Sequence, residues 1–226
     1  MSIQSIRKDW ELIQKLIEEK RKVLDIGCGD GGLIFKLKKE NQSITKGLEI
    51  EGHLVRDAIS KGLVVVEGDA EKDLNQYNDE TFDYVILSQT LQAMNKPKSV
   101  IEEMLRIGGK VIVSFPNFGH WKIRTQLLIK GKMPITKNLP YNWYDTPNIH
   151  FFTIRDFQEL CKKSNIVIEK SIGLTSRGKQ FDINESLTGV NFFTHEAIFL
   201  LSYKNFEPIK IKSTKKIFTK NSVIAS

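Results

Sequence analysis

The chain predicts an α/β fold: a doubly wound, mostly parallel sheet with an antiparallel edge strand. Three observations carry this. The apolar run Val23-Leu24-Asp25-Ile26 enters the glycine cluster Gly27-Cys28-Gly29-Asp30-Gly31-Gly32 and then a helical pattern through Leu33, Ile34 and Leu37, so strand, tight turn and helix follow one another. Strand and helix signals then alternate through five strands, as a parallel sheet covered on both faces requires. The fourth strand, Phe82-Asp83-Tyr84-Val85-Ile86-Leu87-Ser88-Gln89, is almost continuously apolar, as a central strand buried on both faces should be.

Each element has its own signal. Ile6, Trp10, Ile13 and Ile17 recur at helical spacing and predict an amphipathic first helix. Ile44 to Ile50 reads as the second strand. A helix from His53 to Lys61 follows, closed by Gly62, and then a third strand from Leu63 to Asp69. Pro97 opens a helix whose buried face is Val100, Ile101, Met104 and Leu105, and Gly108-Gly109 ends it before a fifth strand from Lys110 to Phe115. Thr153 caps a later helix with Phe157, Leu160 and Cys161 inward. Ile166-Val167-Ile168 and Ala197-Ile198-Phe199-Leu200-Leu201 complete the strands, the last as the antiparallel edge, while 174–194 carries no assignable pattern.

These elements form one domain over 1–203, followed by a basic tail over 204–226 that is too sparse in apolar residues to repay its ordering entropy. Within the domain, 116–152 is far longer than an ordinary connection. A short helix from His120 to Lys130 is expected there, with Trp121, Leu127 and Leu128 inward. Beyond it stand Pro134, Pro140, Tyr141, Trp143, Tyr144, Asp145 and Pro147. Amphipathic aromatics on a proline-stiffened segment suit a substrate lid, a protein-contact surface or a satellite core. His120 and His150 are a candidate base or orienting group, or structural hydrogen-bonders.

Charge excludes less than it suggests. The net charge is +7, but six lysines against one glutamate from Lys204 onward leave only +2 for the preceding chain, so nucleic-acid binding is not expected. No apolar run approaches the roughly 20 residues of a membrane span, and the N-terminus lacks a signal-peptide core, which makes the cytoplasm the expected location. Cys28 and Cys161 show no zinc spacing or disulfide framework; both should be reduced and structural, and no metal site is expected.

In an open parallel sheet, ligands sit beyond the carboxyl ends of the strands. Asp25 and Asp30 in or beside the glycine turn would repel a pyrophosphate, and suit instead a ligand bearing a cationic amino group and a sulfonium. Glu49 ends the second strand where a carboxylate receives ribose hydroxyls. Asp-x-Gly-x-Gly followed by that glutamate resembles the S-adenosylmethionine corner of class I methyltransferases; a flavin or NAD corner with an atypical acid is the alternative. The expected ligand contacts are Asp25, Gly27, Gly29, Glu49, Asp69, Ala70 and Ser88. Asp69 and Ala70 stand where that superfamily meets the adenine amino group, although Asp69 could equally cap the next turn.

Further motifs narrow the resemblance. Tyr84 to Ala93, Ser114-Phe115-Pro116-Asn117-Phe118-Gly119-His120-Trp121, Lys132 to Lys137 and Leu139 to His150 resemble the methionine biosynthesis protein MetW family over roughly Trp10 to Leu174. The resemblance implies a methyltransferase fold working beside the homoserine O-acyltransferase that activates homoserine, as its required partner rather than as a methyl donor. Asn117, His120, Trp121, Tyr141, Trp143, Tyr144, Asp145 and His150 are then the substrate or partner residues. The fourth strand ends in Ser-Gln-Thr and not in the Asn/Asp-Pro-Pro-Tyr of amino-methylating enzymes, so no catalytic residue carries over. The competing function is a free-standing methyltransferase on a small acid or amine.

Overall fold

The computed structural model describes residues 7–136, 139–183 and 188–203; Ile6 and the 204–226 tail lie outside them. In chain order the elements are α1 (Lys8–Leu16), β1 (Lys22–Ile26), α2 (Gly32–Glu40), β2 (Ile44–Glu49), α3 (Gly52–Ser60), β3 (Val65–Glu67), α4 (Ala70–Asp73), β4 (Phe82–Ser88), α5 (Pro97–Ile107), β5 (Gly108–Pro116), α6 (Trp121–Lys130), α7 (Ile154–Lys163), β6 (Ile166–Leu174), β7 (Gln180–Asp182), α8 (Thr188–Phe193) and β8 (Glu196–Tyr203). They build one eight-stranded sheet of order β3-β2-β1-β4-β5-β8-β6-β7.

The first five strands are parallel, and β8 runs antiparallel between β5 and β6. The antiparallel strand expected at 197–201 is therefore present, but it is sandwiched. The outermost strand is β7, antiparallel to β6 and contributed by the stretch whose sequence gave no signal.

Strand periodicity sorts the core into two layers. Leu24, Ile26, Val85, Leu87, Val111, Val113, Phe115, Phe199 and Leu201 face α5 and α7, where Phe115 stacks among Phe152, Phe157 and Phe199 with ring centroids 4.7–5.7 Å apart. Val23, Tyr84, Ile86, Ile112, Ile198 and Leu200 face α1 and α2. The same alternation sends Asp25, Ser88, Ser114 and Glu196 toward α1, at the carboxyl ends of the parallel strands. The fold thus gathers four polar side chains under one helix end.

The insert departs from expectation. Helix α6 forms, capped by His120, whose Nδ1 accepts the Lys122 amide at 3.3 Å. None of its residues is buried, and Leu128 and Ile129 are 85% and 80% exposed. The inward face expected of Trp121, Leu127 and Leu128 is corrected accordingly: apolar residues at 121, 123, 127, 128 and 129 do not share one stripe, so the helix has no single face to bury.

Candidate functional site

The site starts at the turn after β1. Gly27 holds φ +65, and a Cβ there would lie 2.9 Å from Thr90 Oγ1, so only glycine lets the β1 and β4 ends come this close. The Gly27 amide donates to the Leu48 carbonyl at 2.8 Å. Glu49, 6% exposed at the end of β2, accepts from the Gly29 amide at 2.7 Å and from the Ile50 and Glu51 amides at 2.9 and 3.0 Å. One carboxylate therefore fixes the glycine turn and the β2–α3 corner together.

Beyond that carboxylate opens a cavity of about 310 Å³, lined by Ile26, Gly27, Leu48, Glu49, Ile50, Gly68, Asp69, Ala70, Glu71, Thr90, Ala93, Met94 and Asn95. This is within the size of a small-molecule site. Three acids and no basic side chain line it, a setting hostile to phosphate. Asp69 lines the cavity and also caps α4, accepting from the Glu71 amide at 2.9 Å and pairing with Lys72 at 2.8 Å. The Lys72 hydrogen bond holds its carboxyl below the usual range.

The remaining expected ligand residues lie elsewhere. Asp25, 2% exposed, points to the α1 face, and burial pushes its carboxyl up to about 8 against the opposing charge of Arg7. Ser88 sits in a polar chamber with Asp9, Ser114 and Arg7, at 3.1, 3.1 and 3.0 Å from its Oγ. Gln89, in the left-handed region at φ +59, donates to Glu196 at 2.6 Å, and burial pushes the Glu196 carboxyl up to about 8. Asp30 pairs with Lys61 at 2.6 Å.

Sequence reasoning missed Arg7, Asp9 and Glu196. A signal existed for Asp9, which falls in register with Leu12 and Ile13 on the buried stripe of α1 and is itself 3% exposed. The Ala93–Asn95 wall of the cavity was missed because a 3₁₀ turn at Leu91–Ala93 has no periodic pattern.

The insert residues divide in two. Asn117 and His120 are buried: Asn117 Nδ2 donates to the Asn191 and Thr194 carbonyls at 2.8 Å, and desolvation lowers the His120 imidazole to about 4, leaving it neutral. Trp121, Tyr141, Trp143, Tyr144 and Asp145 face solvent, with Trp143 73% exposed. His150 is pinned by its backbone, since its amide and that of Ile149 both donate to the Gln92 carbonyl at 3.0 and 2.8 Å. Cys28 and Cys161 are both buried, with thiols pushed up to about 12 by desolvation. Among the described residues no group of side chains could hold a metal ion, and no helix is long and apolar enough to cross a membrane.

This sheet, turn and strand-end glutamate have the architecture of the class I S-adenosylmethionine-dependent methyltransferases. A possible histamine N-methyltransferase from Thermotoga maritima superposes with a TM-score of 0.64, at 19% identity over 87% of this chain and 88% of that one. The [4+2]-cyclase SpnF superposes with a TM-score of 0.62, at 15% identity over 87% and 80%, so the fold also hosts chemistry of another kind. The chain belongs to the MetW family: the model of methionine biosynthesis protein MetW matches residues 7–201. A bifunctional methionine biosynthesis protein MetXA/MetW from Rhodopirellula baltica is 31% identical over 177 residues, 74% of this chain and 28% of that protein. The chain thus spans little more than a quarter of that relative's length.

Proposed function

We propose that this protein binds S-adenosylmethionine at the glycine corner and serves methionine biosynthesis as the partner and activator of a homoserine O-acyltransferase. The observation that carries the ligand reading is Glu49 lining a phosphate-hostile cavity against the close-packed Gly27 turn. Its Oε2 accepts one amide and keeps a lone pair for ribose hydroxyls, while Ile50, Asp69 and Ala70 wall the space for a base. Calorimetry should show S-adenosylmethionine binding and no heat with NAD or a flavin. The reverse pattern defeats the ligand assignment.

Support for the partner reading comes from two sides. In the Rhodopirellula relative a MetXA part and a MetW part share one polypeptide, an arrangement that raises the effective concentration of one for the other. In this chain the insert presents Trp143, Tyr144, Tyr141 and Leu128 to solvent, and aromatics of this kind anchor interfaces. Co-expression with the acyltransferase of the same cell, followed by pull-down and an acyl-transfer assay, tests it. A complex and a faster acyltransferase are expected. No complex and no rate change, together with methyl transfer to a small acid or amine, would establish the free-standing methyltransferase instead.

A further inference from the structure

The insert holds a concavity of its own, sharing no residue with the crevice. A slot of about 60 Å³ opens between Met133, Ile135, Leu139, Tyr141, Trp143 and Phe151, and no charged side chain lines it among the described residues. Its walls are fixed without an occupant. Thr136 and Leu139 exchange backbone hydrogen bonds at 2.9 and 3.1 Å, which pins the buried Leu139. Phe151 packs edge-on against Phe118, itself 8% exposed, with ring centroids 4.9 Å apart, and Tyr144 braces Trp143 in the same manner at 5.6 Å. The slot is far below the roughly 300 Å³ at which sites for free small molecules begin, and well above the roughly 10–15 Å³ that one water needs. It has room for a single apolar side chain.

Charge says whose side chain. Residues 116–152 carry five basic residues against Asp145 alone, whereas the remainder of 1–203 has 23 basic and 25 acidic residues. A cationic insert thus stands on a slightly acidic domain. Arg124 is spent on the Gly119 carbonyl at 2.6 Å. Lys130 and Lys132 are exposed and have no carboxylate partner among the described residues; they flank Gly131 at the end of α6 and lead directly into Met133 at the slot. We propose that the slot receives one apolar side chain from an acidic segment of the acyltransferase, with Lys130 and Lys132 facing the carboxylates beside it. This rests on the partner reading above and specifies the chemistry the partner brings. The hollow favours a protein over an anionic bilayer, because a bilayer receives projecting side chains, while a fixed slot is filled by a side chain projecting from the other surface. The two parts divide the work: rim charges steer encounter, and the filled slot slows escape.

Association of the full chain with the acyltransferase of the same cell, followed across ionic strength, tests this. The wild type should associate at least about tenfold faster at low salt than at high salt. Lys130→Glu combined with Lys132→Glu should slow low-salt association about tenfold and remove most of the salt dependence, with little change in dissociation. Met133→Trp, which fills the slot and alters no charge, should do the reverse, speeding dissociation about tenfold and keeping the salt dependence. All three positions are exposed, so melting temperatures should stay near the wild-type value. Zero-length carbodiimide coupling of the wild-type complex supplies a check free of variants: Lys130 or Lys132 should be joined to an Asp or Glu of the acyltransferase. A complex indifferent to both the charge reversal and the filled slot, or coupled only through other lysines, overturns the assignment while the partner reading stands. A wild-type protein that forms no complex overturns both. Binding to phosphatidylglycerol vesicles through Lys130 and Lys132, with no acyltransferase complex, also overturns it and gives this face to a membrane.

Discussion

The crevice at the strand ends and the insert are opposite solutions to surface chemistry in one domain. In the crevice, polar groups are buried and engaged: Glu49 accepts three amides, Asp9 holds Arg7, and Gln89 holds Glu196. In the insert, large apolar side chains are left in water, from Leu128 and Ile129 on α6 to Trp143 and Tyr144 beyond it. Burying charge is costly unless it is paired, and exposing a broad apolar patch is costly unless something covers it. On the proposed function the first region receives a small charged ligand and the second a macromolecular surface, and predictions that separate the two test the contrast.

The largest effect should come from Phe115→Ala, beneath both regions. Phe115 is fully buried among Phe152, Phe157 and Phe199, and Phe152 is where the insert rejoins the domain. A loss of about 3–5 kcal/mol is expected from denaturant titration. Glu49→Ala removes a carboxylate that three backbone amides use, so S-adenosylmethionine affinity should fall by about 1.5–3 kcal/mol in calorimetry.

The crevice contributes a pH response of its own. Asp25 and Glu196 are both pushed up to about 8 by burial, against about 4 in an unfolded chain. The folded state therefore binds more protons between those values, and these groups make stability decline as pH rises from about 4 to about 8. Asp25→Asn should flatten that slope in melting scans. A ligand ammonium favours ionised Asp25, so binding should release a proton, and buffer-dependent calorimetric heats would show it. Smallest of all, Leu128→Lys should change stability by no more than about 0.5 kcal/mol, since its side chain touches solvent. A larger loss would mean that α6 packs against something within the chain.

The contrast also sorts what was legible in the sequence. Asp25, the glycine turn and Glu49 could be read because strand, turn and second-strand acid lie at spacings that a Rossmann-like sheet imposes. The α2 and α5 faces were legible for the same reason: Leu33, Ile34, Leu37, Val100, Ile101 and Met104 repeat with the helix. Of the chamber only Ser88 was legible: Arg7 and Asp9 arrive with the start of α1, and Glu196 with β8, whose place between β5 and β6 no local pattern announces. Strand β7 and helix α8 are short and rest on tertiary contacts, so propensity had little to detect. In the insert, the aromatic content was plain, but whether Trp121 and Leu128 turn inward is decided by packing and not by composition.

The central claim is that this domain has two separable binding surfaces. It is tested most directly by titrating wild type, Glu49→Ala and Trp143→Ala in parallel with S-adenosylmethionine and with the homoserine O-acyltransferase. Trp143, 73% exposed, should cost about 2 kcal/mol or more of acyltransferase binding when truncated while leaving the small ligand's affinity unchanged. Glu49→Ala should still bind the acyltransferase and lose the small ligand. If instead Trp143→Ala abolishes S-adenosylmethionine binding and no variant, nor the wild type, captures the acyltransferase, the insert is a lid over the crevice and the two-surface account is wrong.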